Sequence, residues 1–396
     1  MLNFELRNYP DIFFGREAEK RCGELLKEIG GTKALIHHSG EQFVLPLIEK
    51  IKGYLRDAGL DCIDLGGVVA NPLLSKIREG IALCREQKVD CVLAVGGGSV
   101  IDSAKGIAMG AVYDGDIWDF YCGKAEPKGI LPLGAIATFA GAGSEWSRAS
   151  VITNEENNHK RSADDFNLMR PAFAIHNPEL TFTVPPYQTA AGAADIFSHL
   201  FEFYMSKTPD IYLSRQLLAA GMKTVIKYAE TAVREPDNYA ARSALMITSP
   251  FAVSGILRLG LIGDWASHLM EHQMSVEWNI AHGAGLAVLM PVWMKYNLHK
   301  NVGLFARFAV DAFGIEYDFD YPERTAMDGI RTLRNFFNSL GLLATVTELT
   351  KETPSDETLK KLAGRIPYYG GENKTLIGET FPLNKDDVYN IYKAAL

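Results

Sequence analysis

Along the first half of the chain, short β-rich runs alternate with amphipathic stretches. The runs "KALIH" (33–37) and "DCIDL" (61–65) have strand composition. "CVLAV" (91–95) and "LPLGAIAT" (131–138) are continuous apolar runs, the pattern of strands buried on both faces. Between them, helical spacing appears in "EQFVLPLIEKIKGYLRDAG", in "NPLLSKIREGIALCREQ" and in "SVIDSAKGIAMGAV". The second of these has proline near its first turn, where a missing N–H costs little. Strand–helix alternation of this kind predicts a parallel, doubly wound sheet.

After "NPELTFTVPP" (177–186) the short runs stop and helical periodicity takes over. It is clear in "YQTAAGAADIFSHLFEFYMS", "DIYLSRQLLAAGMKTVIKYAE", "NYAARSALMITSPFAVSGIL", "GDWASHLMEHQM" and "GAGLAVLMPVWMKYN", and again in "ERTAMDGIRTLRNFFNSLG", "SDETLKKLAGRI" and "KDDVYNIYKAAL". The expected organisation is therefore an α/β domain over 1–184 and an all-helical domain over 185–396. Composition is ordinary for folded domains, with 47% apolar and 22% charged residues, so extensive disorder is not expected. A formal charge of −8 argues against nucleic acid or an anionic membrane as partner. No apolar run reaches the roughly 18 residues a membrane span needs, and the N-terminus lacks the basic and apolar regions of a signal peptide. Five cysteines without a C-x-x-C pair fit a reduced, cytoplasmic chain and make a cysteine metal site improbable.

Two stretches carry candidate chemistry. In "VLAVGGGSVIDSAKG" a buried strand runs into three glycines and a helix. Glycines let a backbone approach a ligand closely, and a helix N-terminus offers free N–H groups and the positive end of a dipole, which suits a pyrophosphate. The stretch is not a G-x-G-x-x-G, since position 101 is Ile. Asp102, in the first turn, also reads as simple dipole complementation. A second small and hydroxyl-rich run, "ATFAGAGSEWS" (137–147), follows the next strand and can line the same crevice at the carboxyl ends of the strands.

In the helical half, Asp195 and His199 are four apart, as are His268 and His272, and His282 opens the next helix. Four-residue spacing puts each pair on one helix face. A carboxylate with several imidazoles suits Fe(II) or Zn(II), and an aspartate within apolar "AADIF" is costly to bury unless paired or metal-bound. Each pair taken singly also describes an ordinary surface contact. His37, His38, His159, His176 and His299 have no comparable companions in sequence and read as ordinary residues.

These residues resemble the iron-containing (group III) alcohol dehydrogenase family, in its butanol dehydrogenase and NADPH-dependent aldehyde reductase branch. The resemblance spans essentially the whole chain and is carried by "DIFFG", "NP" (71–72), "AVGGGSVIDSAKGIA", "GSE" (143–145), "NPELTFTVPP", "AAGAADIFSHLFE", "DWASHLMEHQMS" and "AHGAGLAVLMP", in that order. It implies a Rossmann-like N-terminal domain, an all-α C-terminal domain and a dehydroquinate synthase-like architecture. By the same resemblance, Asp195, His199, His268 and His282 match the metal ligands. Gly97, Gly98, Ser99 and Asp102 match the pyrophosphate loop, and Thr138, Ser147, Lys160 and Leu180 match the nicotinamide end. His272 matches a histidine near the nicotinamide that does not bind the metal, and with Asp195 and His268 it completes the expected catalytic set.

The chain departs from the family pattern at Phe139 and Ala142, where threonines are usual, and at Asn177, where aspartate is usual. Ser39 stands where NAD-preferring relatives carry an aspartate; without that carboxylate a 2′-phosphate is not repelled, so NADP(H) is favoured over NAD(H). The expected reaction is reversible hydride transfer between NAD(P)H and primary alcohols or aldehydes. A polyol or polyol-phosphate dehydrogenase and a dehydroquinate synthase-like lyase are the alternatives on this architecture. A homodimer is left open as the assembly.

Overall fold

The computed structural model describes residues 1–4, 6, 10–164, 167–369 and 374–396. Contacts between Cα atoms divide the chain into two compact units, Asn8–Val184 and Met1–Arg7 with Pro185–Leu396.

In the first unit, six parallel strands form a sheet in the order β1-β8-β5-β4-β2-β3. They are β1 (Asp11–Phe14), β2 (Lys33–His38), β3 (Asp61–Leu65), β4 (Cys91–Gly96), β5 (Leu133–Ala137) and β8 (Phe173–His176). An antiparallel hairpin, β6 (Ser150–Asn154) and β7 (His159–Ala163), lies outside that ladder. Helices α1 (Cys22–Glu28) and α2 (Leu45–Asp57) cover one face; α3 (Leu74–Glu86) and α4 (Gly98–Ala111) cover the other, and a single turn, α5 (Trp118–Tyr121), follows. The pleat explains why the central strands read as unbroken apolar runs. Ala34, Ile36, Leu93, Val95 and Ile136 pack towards α1 and α2, whereas Leu35, Val92, Ala94 and Ala135 pack towards α3 and α4. The strand order reverses between β2 and β4: the chain leaves β2 for β3 on one side and β4 for β5 on the other. Ligands of open α/β sheets bind outside the carboxyl ends of strands at such a point, and here Ser39 and Gly97 stand at those ends.

The second unit is helical: α6 (Pro186–Tyr204), α7 (Tyr212–Arg234), α8 (Tyr239–Val253), α9 (Ala266–Trp278), α10 (His282–Asn297), α11 (Val302–Phe313), α12 (Pro322–Ser339), α13 (Val346–Thr350), α14 (Asp356–Arg365) and α15 (Lys385–Ala394). The start of the chain groups with it, through Leu2 N–H donating to Gly260 O at 2.9 Å. Helix α6 is buried from Thr189 to its end and packs against α7, α8 and α10. Proline at 291 within α10 cannot donate to the carbonyl four residues back. Arg334 of α12 does so instead, giving N–H groups to Ala287 O and Val288 O at 3.0 Å each. Among the described residues, no helix is long and apolar enough to cross a membrane.

Candidate metal centre and cofactor loop

Helix α6 carries three ionisable side chains other than tyrosine: Asp195, His199 and Glu202, at positions i, i+4 and i+7. This spacing aligns them on one face, and all three are buried. Helix α9 brings His268 to that face, and the N-terminus of α10 brings His282. The Nε2 atoms of His268 and His282 each lie 3.8 Å from Asp195 Oδ1. Donor atoms of Asp195, His268 and His282 all fall within 4.8 Å of one another. His199 lies just outside that triad, its Nδ1 3.4 Å from Asp195 Oδ1 and its ring centroid 4.5 Å from that of His268. His272, one turn beyond His268 and half-buried, has its ring 5.3 Å from the His282 ring.

Close helix approach makes this meeting possible. A Cβ on Gly283 would stand 1.8 Å from Ala191 O, so only glycine lets α10 begin beside α6. A Cβ on Gly285 would stand 2.6 Å from Glu271 Oε1.

The arrangement fits a divalent cation. Asp195 Oδ1, His199 Nδ1 and His268 Nε2 are buried and make no hydrogen bond, although buried polar atoms ordinarily do. Helices α6 and α9 contain no lysine or arginine to balance their carboxylates. Burial raises Asp195, but His199, His268 and His282 outweigh it and hold the carboxyl well below its usual range. Burial also lowers His199, to about 3, with His268 and His282 adding to the effect. At His268 burial is overcome by Glu202 and Asp195, which carry the imidazole up to about 10. A carboxylate with imidazoles whose ring nitrogens converge on it is a donor set for Fe(II) or Zn(II).

Two glutamates that sequence reasoning passed over stand behind the imidazoles. Glu202 Oε2 accepts from His268 Nδ1 at 2.6 Å, and its Oε1 accepts from Ser267 N–H at 2.9 Å. Glu271 Oε2 accepts from His282 Nδ1, and its Oε1 accepts from the Ser275 hydroxyl at 2.5 Å. Glu202 could have been found as the next position on the Asp195–His199 face. Glu271 gave no signal beyond lying between two histidines.

In the sheet unit, Gly97 caps α4, Gly98 and Ser99 form its first turn, and Thr138 N–H donates to Gly96 O at 3.1 Å. Space for a Cβ is missing at both glycines. It would lie 3.0 Å from Phe139 Cβ at Gly97 and 2.9 Å from Ala142 Cβ at Gly98, so the two departures from the family pattern pack directly on the glycine turn. Asp102 does not point its carboxylate outward. It accepts from the Ser144 hydroxyl, and from Val151 N–H at 3.0 Å. Lys105, fully buried one turn on, donates to Ser144 O and Ala149 O at 2.7 Å and to Ser147 O at 3.1 Å. Burial pulls its ammonium down to about 8, opposed by Asp102 and Glu145. Lysine and aspartate together fasten the 144–151 segment, which includes Ser147, to the helix of the glycine turn.

Lys160 of β7 reaches Asn71 Oδ1 at 2.8 Å. Leu180 lies in a single turn, Pro178–Thr181, that Asn177 caps by accepting from Glu179 N–H at 3.1 Å. The Asn177 amide also donates to Glu19 at 2.9 Å, which an aspartate does not do. Two histidines read as ordinary are buried staples: His37 joins Leu65 O and Ser103, and His176 pairs with Glu145 at 3.0 Å.

The family model "iron-containing alcohol dehydrogenase" matches residues 10–178, and the model of the C-terminal part of the Fe-containing alcohol dehydrogenase family matches 189–396. The chain is 37% identical to the probable NADH-dependent butanol dehydrogenase 2 of Bacillus subtilis, over all of both chains. It is 29% identical to an NADPH-dependent aldehyde reductase of Escherichia coli, again over all of both. The crystal structure of NADH-dependent butanol dehydrogenase A from Thermotoga maritima superposes with a TM-score of 0.92 at 33% identity, covering 100% of this chain and 99% of that one. The fold is thus the Rossmann-like plus all-α architecture of those enzymes.

Replacing Lys105 by methionine strands the Ser144, Ser147 and Ala149 carbonyls and leaves Asp102 buried without its cation. Breaking a buried pair from one side costs roughly 3 kcal/mol. The variant is expected to melt earlier and to exchange amide hydrogens faster over 142–149. Unchanged exchange there would contradict the fastening role.

Proposed function

The chain belongs to the iron-containing alcohol dehydrogenase family, and on that premise we propose how its residues divide the work of an NAD(P)-dependent alcohol dehydrogenase. The enzyme catalyses alcohol and aldehyde oxidoreduction. In our reading the substrates are primary alcohols and their aldehydes. The observation that carries the reading is the set of bare, buried donor atoms around Asp195.

Asp195, His199, His268 and His282 would hold the divalent cation, Fe(II) or Zn(II). Gly97, Gly98 and Ser99, at the N-terminus of α4, would take the pyrophosphate, with Asp102 acting behind them through Ser144 and Val151. Thr138, Ser147, Lys160 and Leu180 would line the nicotinamide end. When bound, the reduced nicotinamide supplies the hydride, and the cation supplies Lewis-acid polarisation of the substrate oxygen. The protein's part is orientation and proton handling. His272, outside the donor triad and with its ring 5.3 Å from that of His282, would give or take the substrate's proton. Trp265, half-buried with its ring 5.1 Å from that of His268, offers an apolar wall for the carbon chain.

For the cofactor we infer NADPH. Ser39 follows β2 at the reversal of strand order, presents a hydroxyl and carries no charge to repel a 2′-phosphate. NADH, named for the butanol dehydrogenase relatives, is the alternative to be excluded. The five cysteines, all free thiols, support a cytoplasmic location. A homodimer belongs to the same reading.

Protein purified without chelator is expected to carry about one Fe or Zn per chain, and Asp195→Ala or His268→Ala to abolish it. Metal surviving both changes would sink the site. His272→Asn is expected to keep its metal while kcat falls about 100-fold, the lower range for a lost proton-transfer group; an unchanged kcat removes His272 from the reaction. With butanal, kcat/KM is expected to be about tenfold or more higher for NADPH than for NADH, and Ser39→Asp to reverse the order. A wild-type preference for NADH overturns the Ser39 argument.

A further inference from the structure

We propose that Glu202 and Glu271 are the positioning residues of the metal centre, each fixing one ligating imidazole so that its Nε2 lone pair faces the point defined by Asp195 Oδ1. The proposal rests on the metal reading given above.

The two glutamates are built alike from different places in the fold. Glu202 belongs to α6 and holds His268 of α9; Glu271 belongs to α9 and holds His282 of α10. Both are buried, at 1% and 0% exposure. In each, one carboxylate oxygen accepts from an imidazole Nδ1–H, while the other is pinned by a second donor: Ser267 N–H for Glu202 and the Ser275 hydroxyl for Glu271. A carboxylate can only accept, so when a cation displaces one proton of the ring the other is kept on Nδ1, and Nε2 is the nitrogen left to ligate. Both Nε2 nitrogens lie at the same 3.8 Å from the same oxygen. The third imidazole differs: His199 Nδ1 faces Asp195 and makes no hydrogen bond.

Burial of two more carboxylates beside Asp195, on helices α6 and α9 that have no lysine or arginine, is a poor device for stability alone. It is a good one for a cation. A carboxylate behind a histidine orients the ring and raises its basicity, and losing it typically costs 10–100-fold in metal affinity. Gly285 leaves the room that the Glu271 carboxylate occupies, since a Cβ there would lie 2.6 Å from Oε1.

The test is Zn(II) affinity, measured by chelator competition on the full-length protein, together with the visible absorption of the Co(II)-loaded form. Glu202→Gln and Glu271→Gln keep the shape and remove the charge. Each is expected to weaken Zn(II) binding about 10–100-fold and to alter the Co(II) bands, with the fold checked by circular dichroism. Should either glutamine variant fail to fold, Ser275→Ala unpins Glu271 without touching its charge and is expected to shift the Co(II) bands. Wild-type protein that binds no Zn(II) overturns the metal reading and this proposal together. Wild-type protein that binds it, with folded variants within about threefold and unchanged Co(II) bands, overturns the proposal alone.

Discussion

A carboxylate buried in the middle of an apolar helix is the constraint around which the helical unit is arranged. Asp195 sits in α6, whose sides are covered by α7, α8 and α10. An isolated charge there is prohibitive, so opposite charge or ligand partners must be brought in. The chain brings them from three helices, and it spends glycine at 283 so that α10 can start within reach. Arg334 then holds α10 by the carbonyls near its proline. Packing and chemistry answer the same demand.

The sheet unit solves a different problem with similar means. In the proposed role, a turn that accepts a phosphate must expose backbone N–H groups, and the two glycines have no side chains to keep it rigid. Rigidity comes from behind, through Lys105 and Asp102, which bind α4 to the 144–151 segment. Both side chains are consumed internally. The glycine turn can therefore stay bare, as a close backbone approach requires.

Much of this was legible in the sequence. The runs 91–95 and 131–138 announced themselves because both faces of their strands are covered, 33–37 and 61–65 by strand composition alone, and the structure places strands at Cys91–Gly96, Leu133–Ala137, Lys33–His38 and Asp61–Leu65. Strands β1, β6, β7 and β8 were not legible. β1 and β8 are four residues long, and "HKRSA" of β7 is polar with no apolar alternation although its residues are buried or half-buried. Asp195 and His199 were visible through their spacing; Glu202 continued the same face but reads as one more surface acid until its burial is known. Asp102 read as a dipole complement or a pyrophosphate-loop residue and Lys105 drew no reading, and only the packing of the 144–151 segment shows where they point. The reach of Asn177 to Glu19, across 158 residues, could not be read from either neighbourhood.

Anomalous X-ray scattering at the iron and zinc edges, from crystals grown without chelator, addresses the central claim most directly. The account predicts one strong peak in the helical unit, about 2.0–2.2 Å from the Asp195 carboxylate and from ring nitrogens of His199, His268 and His282. A metal peak elsewhere, with Asp195 left unligated, would contradict it.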